Sequence, residues 1–405
     1  MPAARPSRVK TGRRVEKTSR YENPGTRVVV VSNVSSFGGG GVVGFRDILL
    51  GLREKRPDVD LVAVIPQKGA VAERCTSDGI QTVIGWTPWW AFGKWRRFGR
   101  VEPHALIGWL PYTALLLPGI VQALRLFVRL RPTMVLTNTM TIPSHAIAAK
   151  ILGIPHHWIV REFGRDDHRL WFLFGYRRTV HLIGRLSESV ICNSHAVEQA
   201  MLALSPSMKT HVIYPAVDSA LGTPPKRCPG ERMRTILVGY FSAAKGQHLA
   251  IEAIAIARNA GIDIELTLLG PGSPEPLGRV ARRLGVDDLV SIHGPTRDLQ
   301  PYWAAAHVGL MCSHQEAFGR VTVEAMRAGL PVCGTDSGGT PEIIQPGVTG
   351  LLSPPGDAKA LAANLIALES DERLRRNLAA GALERARHFD RARHDDELVA
   401  ILELS

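Results

Sequence analysis

Two glutamates separated by seven residues form the densest candidate for chemistry in the chain, in the stretch Glu316-AFGRVTV-Glu324. An ionised carboxylate only accepts hydrogen bonds, so both side chains suit the hydroxyl groups of a sugar or a ribose better than a phosphate. Gly319 between them permits a close approach of the backbone to a ligand. A helix predicted from about Val321 places Glu324 in its first turn, where unpaired N–H groups attract anions. A first-turn glutamate is also common for dipole reasons alone, so Glu324 by itself would mean little.

A lysine occupies the second position of interest, in Gly239-YFSAA-Lys245-Gly246. It follows a predicted strand, and doubly wound sheets bind ligands outside the carboxyl ends of their strands. Lys245 is therefore a candidate to place a positive charge where a diphosphate would lie. A solvated surface lysine is the alternative interpretation.

The elements that would position these residues alternate between strand and helix. The predicted strands are Arg27–Asn33, Leu61–Ile65, Gln81–Ile84, Thr133–Thr137, His157–Val160, Val190–Cys192, Thr235–Val238, Glu265–Leu269, Leu289–Ile292, Val308–Met311 and Pro331–Cys333. Helices are predicted over Val42–Leu52, Gln247–Ala260 and Pro276–Leu284. This alternation indicates right-handed βαβ units and mostly parallel sheets. The fold class is therefore α/β, with two doubly wound, Rossmann-like domains facing each other across a ligand-binding cleft.

The domain boundaries follow from composition. Residues 1–24 form a basic tail, 25–216 the first domain, 217–385 the second, and 386–405 a C-terminal helix expected to pack back on the first domain. The first twenty residues carry seven basic side chains against one acid, a net +6, which is half of the formal net charge of +12. Such a polar segment without periodicity predicts disorder. The tail is either simply solvated or attracted to anionic lipid.

The segment 86–130 combines aromatic, basic and apolar runs. Six large aromatic side chains between residues 86 and 98 interleave with Lys94, Arg96, Arg97 and Arg100. Indole rings beside cations suit the headgroup region, so 86–100 predicts peripheral membrane contact, with a lid or acceptor wall as the alternative. The uncharged run over residues 105–124 is interrupted by prolines and is predicted to be a buried core helix rather than a membrane span.

Composition excludes several classes. A chain of 405 residues with 45% hydrophobic and 21% charged residues is an ordinary globular protein of two or three domains. Its five cysteines form no CxxC pair, which disfavours a zinc site and a disulfide framework and favours a reducing cytoplasm. No aspartate cluster or histidine pair stands at metal-ligand spacing, and no nucleic-acid module accompanies the high pI.

Over about residues 234–370 the chain resembles the nucleotide-binding domain of the family-4 retaining glycosyltransferases, which have the GT-B fold. The resemblance rests on the glutamate pair, the Gly329-LPV string, the Ser337-GGTP-Glu342 string and the loops at Gly270 and Gly294. It implies that Glu316 contacts the donor sugar, Glu324 holds the ribose hydroxyls, and Lys245 neutralises the diphosphate. The implied catalytic residues are Glu316 and Lys245, and the implied donor-binding residues are Gly39, Gly40, Gly41, Lys245, Gly270, Gly294, Glu316, Ala317, Phe318, Gly319, Arg320 and Glu324.

The first half resembles the acceptor domain of that family more loosely, over about residues 27–215. Gly38–Gly41 corresponds to the glycine loop near the donor phosphates, and the stretch 213–218 to the hinge. Two departures stand out. Tyr240 replaces an arginine that many members have, and Arg161-Glu162 replaces a histidine often called catalytic. Arg161 and Glu162 are acceptor-side candidates without an assigned chemical step.

The resemblance implies a retaining transfer of a sugar from a nucleotide diphosphate sugar to a hydroxyl acceptor, without cofactor or metal. The acceptor hydroxyl would attack from the front face, and the donor phosphate would take the proton. The aromatic-basic segment favours a lipid-linked or cell-surface glycan as acceptor, and a cytoplasmic protein peripheral to the inner face of the plasma membrane. A nucleotide-sugar epimerase and a membrane scaffold that has lost its activity are the alternatives; nucleic-acid binding ranks last.

Overall fold

The computed structural model describes residues 25–33, 40–93, 96–97, 100–101, 109–165, 167, 170–223, 226–228 and 230–404. Several expectations lie outside these residues. They are the disordered basic tail 1–24, the ligand contact of Gly38 and Gly39, and the membrane contact of Lys94 and Trp95.

The first half contains a seven-stranded parallel sheet with the order β11-β10-β8-β7-β1-β2-β3. In chain order its strands are β1 Arg27–Val31, β2 Asp60–Ile65, β3 Gln81–Ile84, β4 Ala91–Gly93, β5 Arg96–Arg97, β6 Arg100–Val101, β7 Met134–Thr137, β8 His156–Val160, β9 Leu170–Phe172, β10 Ser189–Cys192 and β11 Thr210–Val212. The helices are α1 Gly40–Lys55, α2 Ala70–Ser77, α3 Trp109–Leu130, α4 Ser144–Leu152, α5 Tyr176–Leu186 and α6 His195–Leu204. Outside this sheet, β4 pairs with β9 and β5 with β6.

The second half contains a six-stranded parallel sheet with the order β14-β13-β12-β15-β16-β17. Its strands are β12 Met233–Val238, β13 Ile264–Leu269, β14 Val290–His293, β15 Val308–Met311, β16 Val332–Thr335 and β17 Gly350–Ser353. The helices that follow are α7 Gln247–Asn259, α8 Glu275–Arg283, α9 Gln300–Ala305, α10 Arg320–Arg327, α11 Thr340–Ile343, α12 Ala358–Ser370, α13 Glu372–Ala386 and α14 Arg391–Ile401.

The central strand β1 shows why these sheets form. Its four valines are completely buried, because helices cover both faces of the sheet. In each sheet the strand order reverses beside the central strand, between β1 and β7 and between β12 and β15. The carboxyl ends of those strand pairs are the places where doubly wound sheets bind ligands.

The helix α14 belongs structurally to the first half. It packs on α1, and Leu398, Leu402 and Leu404 complete the core that contains Phe45. The chain thus crosses between the halves twice, and the two crossings touch where Val217 N–H donates to the Phe389 carbonyl at 2.8 Å.

The predicted fold class is confirmed, and each predicted strand is present within three residues of its expected ends. The prediction of a buried core helix in 105–124 holds for only one face of α3. Ala123 and Phe127 are buried, whereas the Leu117 and Val128 side chains are 70% and 63% exposed. No helix within the described residues is long and apolar enough to cross a membrane.

The expected membrane contact of the aromatic segment is wrong for Trp90. Its ring is 1% exposed and stacks on Trp158 at 5.7 Å between ring centroids. Its indole N–H donates to the Met140 carbonyl at 2.7 Å. Trp90 is therefore a core residue, because a buried indole needs a hydrogen-bond acceptor and finds one here.

Replacing Trp90 by phenylalanine should lower the free energy of unfolding by about 2 kcal/mol, since the Met140 carbonyl loses its donor and the stack becomes smaller. Denaturant unfolding followed by circular dichroism measures this change. The matched control is Trp171→Phe, at a side chain that is 53% exposed and should cost less than about 0.5 kcal/mol. Equal effects of the two substitutions would contradict the buried role of Trp90.

Candidate active site

Lys245 and Glu316 meet at the switch point of the second sheet. Lys245 ends a short 3-10 turn after β12, and Glu316 lies in the loop after the neighbouring strand β15. Gly246 has a positive φ of 70°, and a Cβ there would collide with the Cys312 carbonyl, so the turn can lie directly against the end of β15. The Lys245 ammonium consequently reaches the Glu316 carboxylate at 2.6 Å. The Ser313 hydroxyl donates to the same carboxylate oxygen at 2.9 Å.

The Ser337-Gly338-Gly339 segment packs against the backbone of the loop that contains Glu316. A Cβ at Gly338 would collide with the Glu316 carbonyl, and a Cβ at Gly339 with the Ala317 carbonyl. The Gly339 N–H donates to the Glu316 carbonyl at 2.8 Å. Glycine is thus needed at both positions so that the two loops can pack backbone against backbone.

The position of Glu324 differs from the prediction. Gly319 caps α10 with a φ of 99°, and the helix begins at Arg320, so Glu324 lies in the second turn rather than the first. Its carboxylate is half-buried and has no hydrogen-bond partner among the residues that the structure describes. Burial raises the pKa of this carboxyl group, and the nearby charge of Arg320 opposes the shift. A half-buried carboxylate without a partner can accept a hydrogen bond from a ligand hydroxyl.

Other donor-site candidates divide into backbone and open positions. Ala317 and Phe318 are buried in the apolar cores, so only their backbone could contact a ligand. Gly270, after β13, packs so closely on the Gly239 carbonyl that a Cβ would collide with it. Gly294, after β14, faces open space. Both lie at the same carboxyl edge as Lys245, although the structure shows no direct contact between them and the charged pair.

In the first half, α1 begins at Gly40 directly opposite Arg320, whose Cδ would lie 3.8 Å from a Cβ at Gly40. The Gly41 carbonyl accepts a hydrogen bond from the Asn138 amide at 3.0 Å. Gly38 and Gly39, the other two glycines of the predicted loop, are outside the described residues. The start of α1 thus lies beside the N-terminus of α10, the helix that follows the Glu316 loop.

Arg161 and Glu162 are both held within the first half. The Arg161 guanidinium donates to the Asn138 side-chain oxygen at 3.0 Å and to the Gly44 carbonyl at 3.2 Å. Burial lowers its pKa to about 10, so it stays charged at neutral pH. The Glu162 carboxylate accepts from Thr139 Oγ1 at 2.9 Å and from Met140 N–H at 3.0 Å. Glu162 is therefore engaged with its own domain, whereas Arg161 lines the inner side of α1.

An aspartate that the sequence did not single out joins the two halves. Asp47, on α1, is 4% exposed and binds Arg320 at 3.2 Å and Arg391 at 2.8 Å. Arg320 also donates to the Ala216 carbonyl at 2.5 Å, and Arg391 to Asp218 at 2.7 Å. Arg320, predicted to bind the donor, is thus engaged in a contact between the domains. The only signal in the sequence was an aspartate within the apolar run of α1, beside Phe45, Ile48 and Leu49, and it does not reveal the partners of Asp47.

Glu342 forms a second connection between the halves. It closes the Ser-Gly-Gly-Thr-Pro-Glu string of the second half, but its carboxylate accepts from the His195 and Ala196 N–H groups at 2.8 and 2.7 Å. It also accepts from the Tyr214 hydroxyl at 2.8 Å. Glu342 therefore stabilises the N-terminus of α6 in the first half.

No group of three or more His, Cys, Asp or Glu side chains within the described ranges is arranged to hold a metal ion. All five cysteines are free thiols. Lys245 supplies positive charge at the candidate site, where it is paired with Glu316.

Comparison with solved structures defines the class. Alr3699/HepE of Anabaena, in complex with UDP and glucose, superposes with a TM-score of 0.71 at 20% sequence identity, covering 93% of this chain and 99% of that one. The two parallel-sheet domains therefore have the GT-B fold.

Sequence comparison then gives the family. The model of the family Glycosyltransferase Family 4 matches residues 38–221. The model of the family Glycosyl transferases group 1 matches residues 232–371. The chain belongs to these family-4, group 1 glycosyltransferases, as the motifs predicted.

Individual relatives match more narrowly. The N-acetyl-alpha-D-glucosaminyl L-malate synthase of Bacillus anthracis is 38% identical over 125 residues, which are 30% of this chain and 32% of that protein. The lipopolysaccharide core biosynthesis glycosyltransferase LpsE of Rhizobium meliloti is 31% identical over 204 residues, 48% of this chain and 58% of that protein. The chain thus spans less than two thirds of the length of these curated relatives.

Proposed function

We propose that the protein transfers a sugar from a nucleoside-diphosphate sugar to a hydroxyl acceptor, with retention of configuration. The observation that carries the proposal is the Lys245–Glu316 pair at the switch point between β12 and β15. The bond that breaks joins the sugar to the diphosphate. The lysine ammonium suits the negative charge of the diphosphate, and the neighbouring carboxylate suits the hydroxyl groups of the sugar. The UDP complexes of the HepE structures support a uridine nucleotide as the first donor to test.

In the proposed mechanism, departure of the nucleoside diphosphate is the difficult step. Lys245 leaves Glu316 when the donor binds and stabilises the negative charge that develops on the leaving oxygen. Glu316, still bonded by Ser313, accepts hydrogen bonds from the sugar hydroxyls and fixes the ring. The acceptor hydroxyl attacks from the face that the diphosphate leaves, and the departing phosphate takes its proton. No protein nucleophile and no metal ion is required.

The acceptor we propose is a lipid-linked or cell-surface glycan. Two relatives support it by name: LpsE of Rhizobium meliloti is a glycosyltransferase of lipopolysaccharide core biosynthesis, and AmsK of Erwinia amylovora is one of amylovoran biosynthesis. If Arg161, which follows β8, contacts the acceptor as the family resemblance suggests, its positive charge favours an acceptor with anionic groups.

Calorimetric titration with UDP, GDP, ADP and TDP tests the donor site, and proton NMR of the glycoside product tests retention. Binding of one diphosphate, followed by transfer with the donor anomer preserved, supports the proposal. Release of an epimerised sugar without any acceptor would indicate an epimerase. Absence of binding by all four nucleotides would contradict the enzyme and favour a scaffold that has kept only the fold.

Donor affinity should depend on pH through Glu324. Because burial raises the pKa of this carboxyl group, it takes up a proton at a higher pH than an exposed glutamate does. The ionised form accepts hydroxyl hydrogen bonds best, so affinity is complete above the raised pKa and falls about tenfold as the pH drops through it. Glu324→Gln should bind UDP more weakly and without this pH dependence. Glu384→Gln, at a side chain that is 70% exposed on α13, should keep the wild-type profile. A wild-type profile in Glu324→Gln would exclude Glu324 from the ribose site.

A further inference from the structure

The helices α3, α4 and α5 lie side by side on one face of the first sheet, and α6 continues the layer beyond α5. The strand register places Val29, Val135, Trp158 and Val190 on the same side of that sheet. The helices α3 and α4 pack on the valines, and α5 packs beside Trp158 and Val190. Since α3 contacts α4 and α4 contacts α5, their outer sides form one continuous surface.

This surface is unusually apolar. Of the thirteen large hydrophobic side chains that are exposed in the described part of the chain, eight lie on these helices, on the strand β9 that contacts α5, or in the turn after β9. They are Leu115, Leu117, Val121, Val128, Ile151, Leu152, Trp171 and Phe174. We call this set, with the basic residues described next, the α3–α5 surface. Exposed apolar side chains gathered on one side of a protein indicate an interaction site.

The same surface carries charge of one sign. The helices α3, α4 and α5 contain no aspartate or glutamate, and their basic side chains Arg125, Arg129, Lys150, Arg177, Arg178 and Arg185 are all exposed. A second copy of the chain would bring six cations against six cations, so self-association through this surface is electrostatically unfavourable. Apolar side chains flanked by cations fit the boundary between acyl chains and anionic headgroups.

We propose that the α3–α5 surface docks the protein on an anionic lipid bilayer. The leucines, valines and aromatic rings enter the interface, and the arginines contact the headgroup phosphates. Docking is independent of the transfer reaction, because none of these side chains belongs to the candidate active site. The proposed docking thus uses exposed side chains that a membrane can reach, whereas Trp90 is buried and cannot contact one.

Sedimentation of the full chain with vesicles tests this surface. Vesicles of phosphatidylglycerol and phosphatidylcholine should bind the protein, and vesicles of phosphatidylcholine alone should bind it much more weakly. The substitution Arg177→Gln with Arg178→Gln should weaken binding about twenty-five-fold, because each basic residue near an anionic surface contributes about fivefold. The matched control is Arg282→Gln with Arg283→Gln, an exposed pair on α8 of the second half, which should leave binding unchanged.

The apolar contribution is tested separately with Leu117→Ser, Val121→Ser and Val128→Ser combined. All three side chains are exposed, so the fold should survive, while vesicle binding should fall at least tenfold. Leu221→Ser with Val348→Ser, which are exposed in other parts of the chain, is the control. Binding that survives both α3–α5 substitution sets would overturn the proposal and assign any lipid affinity to another segment. A dimer in ultracentrifugation that the serine substitutions dissociate would overturn it in favour of a second copy.

Discussion

Replacing Lys245 by alanine is expected to reduce turnover of the nucleoside-diphosphate sugar by about a hundred- to a thousandfold. Removal of one group that stabilises charge developing in a transition state has an effect of this size. Lys245 is placed for that role by its short turn against the end of β15, with its ammonium 2.6 Å from Glu316. Substrate affinity should fall less than turnover, because the charge on the leaving oxygen grows as the bond breaks.

Steady-state kinetics and UDP titration of the same preparation measure the two effects. Lys359→Ala is the matched control, since Lys359 is an exposed lysine of the same half, on α12 beside the C-terminal part of α7. We expect it to behave as wild type. If Lys245→Ala kept both full turnover and full UDP affinity, the donor site would have to lie elsewhere.

Replacing Asp47 by asparagine is expected to destabilise the protein by about 3–5 kcal/mol, the usual cost of removing one partner from a buried ion pair. The carboxylate is 4% exposed and serves two arginines, from α10 and from α14. Asparagine preserves the shape but leaves Arg320 without its carboxylate partner, and leaves Arg391 with Asp218 alone. Because Arg320 belongs to the second half, the change should also loosen the contact between the domains.

Urea unfolding measures the stability, and small-angle X-ray scattering measures the separation of the domains. The matched control is Asp218→Asn, which removes the other carboxylate partner of Arg391 but at a side chain that is 45% exposed. We expect a loss of no more than about 1 kcal/mol and unchanged scattering, as for other exposed ion pairs. Equal effects of the two substitutions would show that Asp47 does not hold the domains together.

The strands were predictable because a buried parallel strand has a short continuous apolar run, as in Arg27–Val31. The glutamate loop was predictable because its residues are adjacent in the sequence. The contacts of Asp47 were not predictable, because its partners Arg320 and Arg391 lie 273 and 344 residues further along the chain. The prediction that Trp90 contacts a membrane failed for a similar reason. An indole beside cations suits a membrane interface as well as a core, and its stacking partner Trp158 lies on a distant strand.

The boundary of α10 was misplaced by a local feature. A predicted start near Val321 put Glu324 in the first turn, whereas Gly319 takes a positive φ and lets the helix begin at Arg320. One residue at the start of a helix decides whether a side chain is near the unpaired N–H groups. Sequence patterns rarely fix helix ends to that accuracy.

The helix α14 has a consequence for how the protein is made. Residues 391–404 reach the ribosome exit long after β1 and α1, yet Leu398, Leu402 and Leu404 complete the core around Phe45. Until they emerge, the nascent first half must leave that apolar side of α1 uncovered, although domains usually fold as units during synthesis. Chaperone binding should therefore persist on the ribosome until α14 emerges, and a stop codon before residue 391 should yield a truncated protein that aggregates.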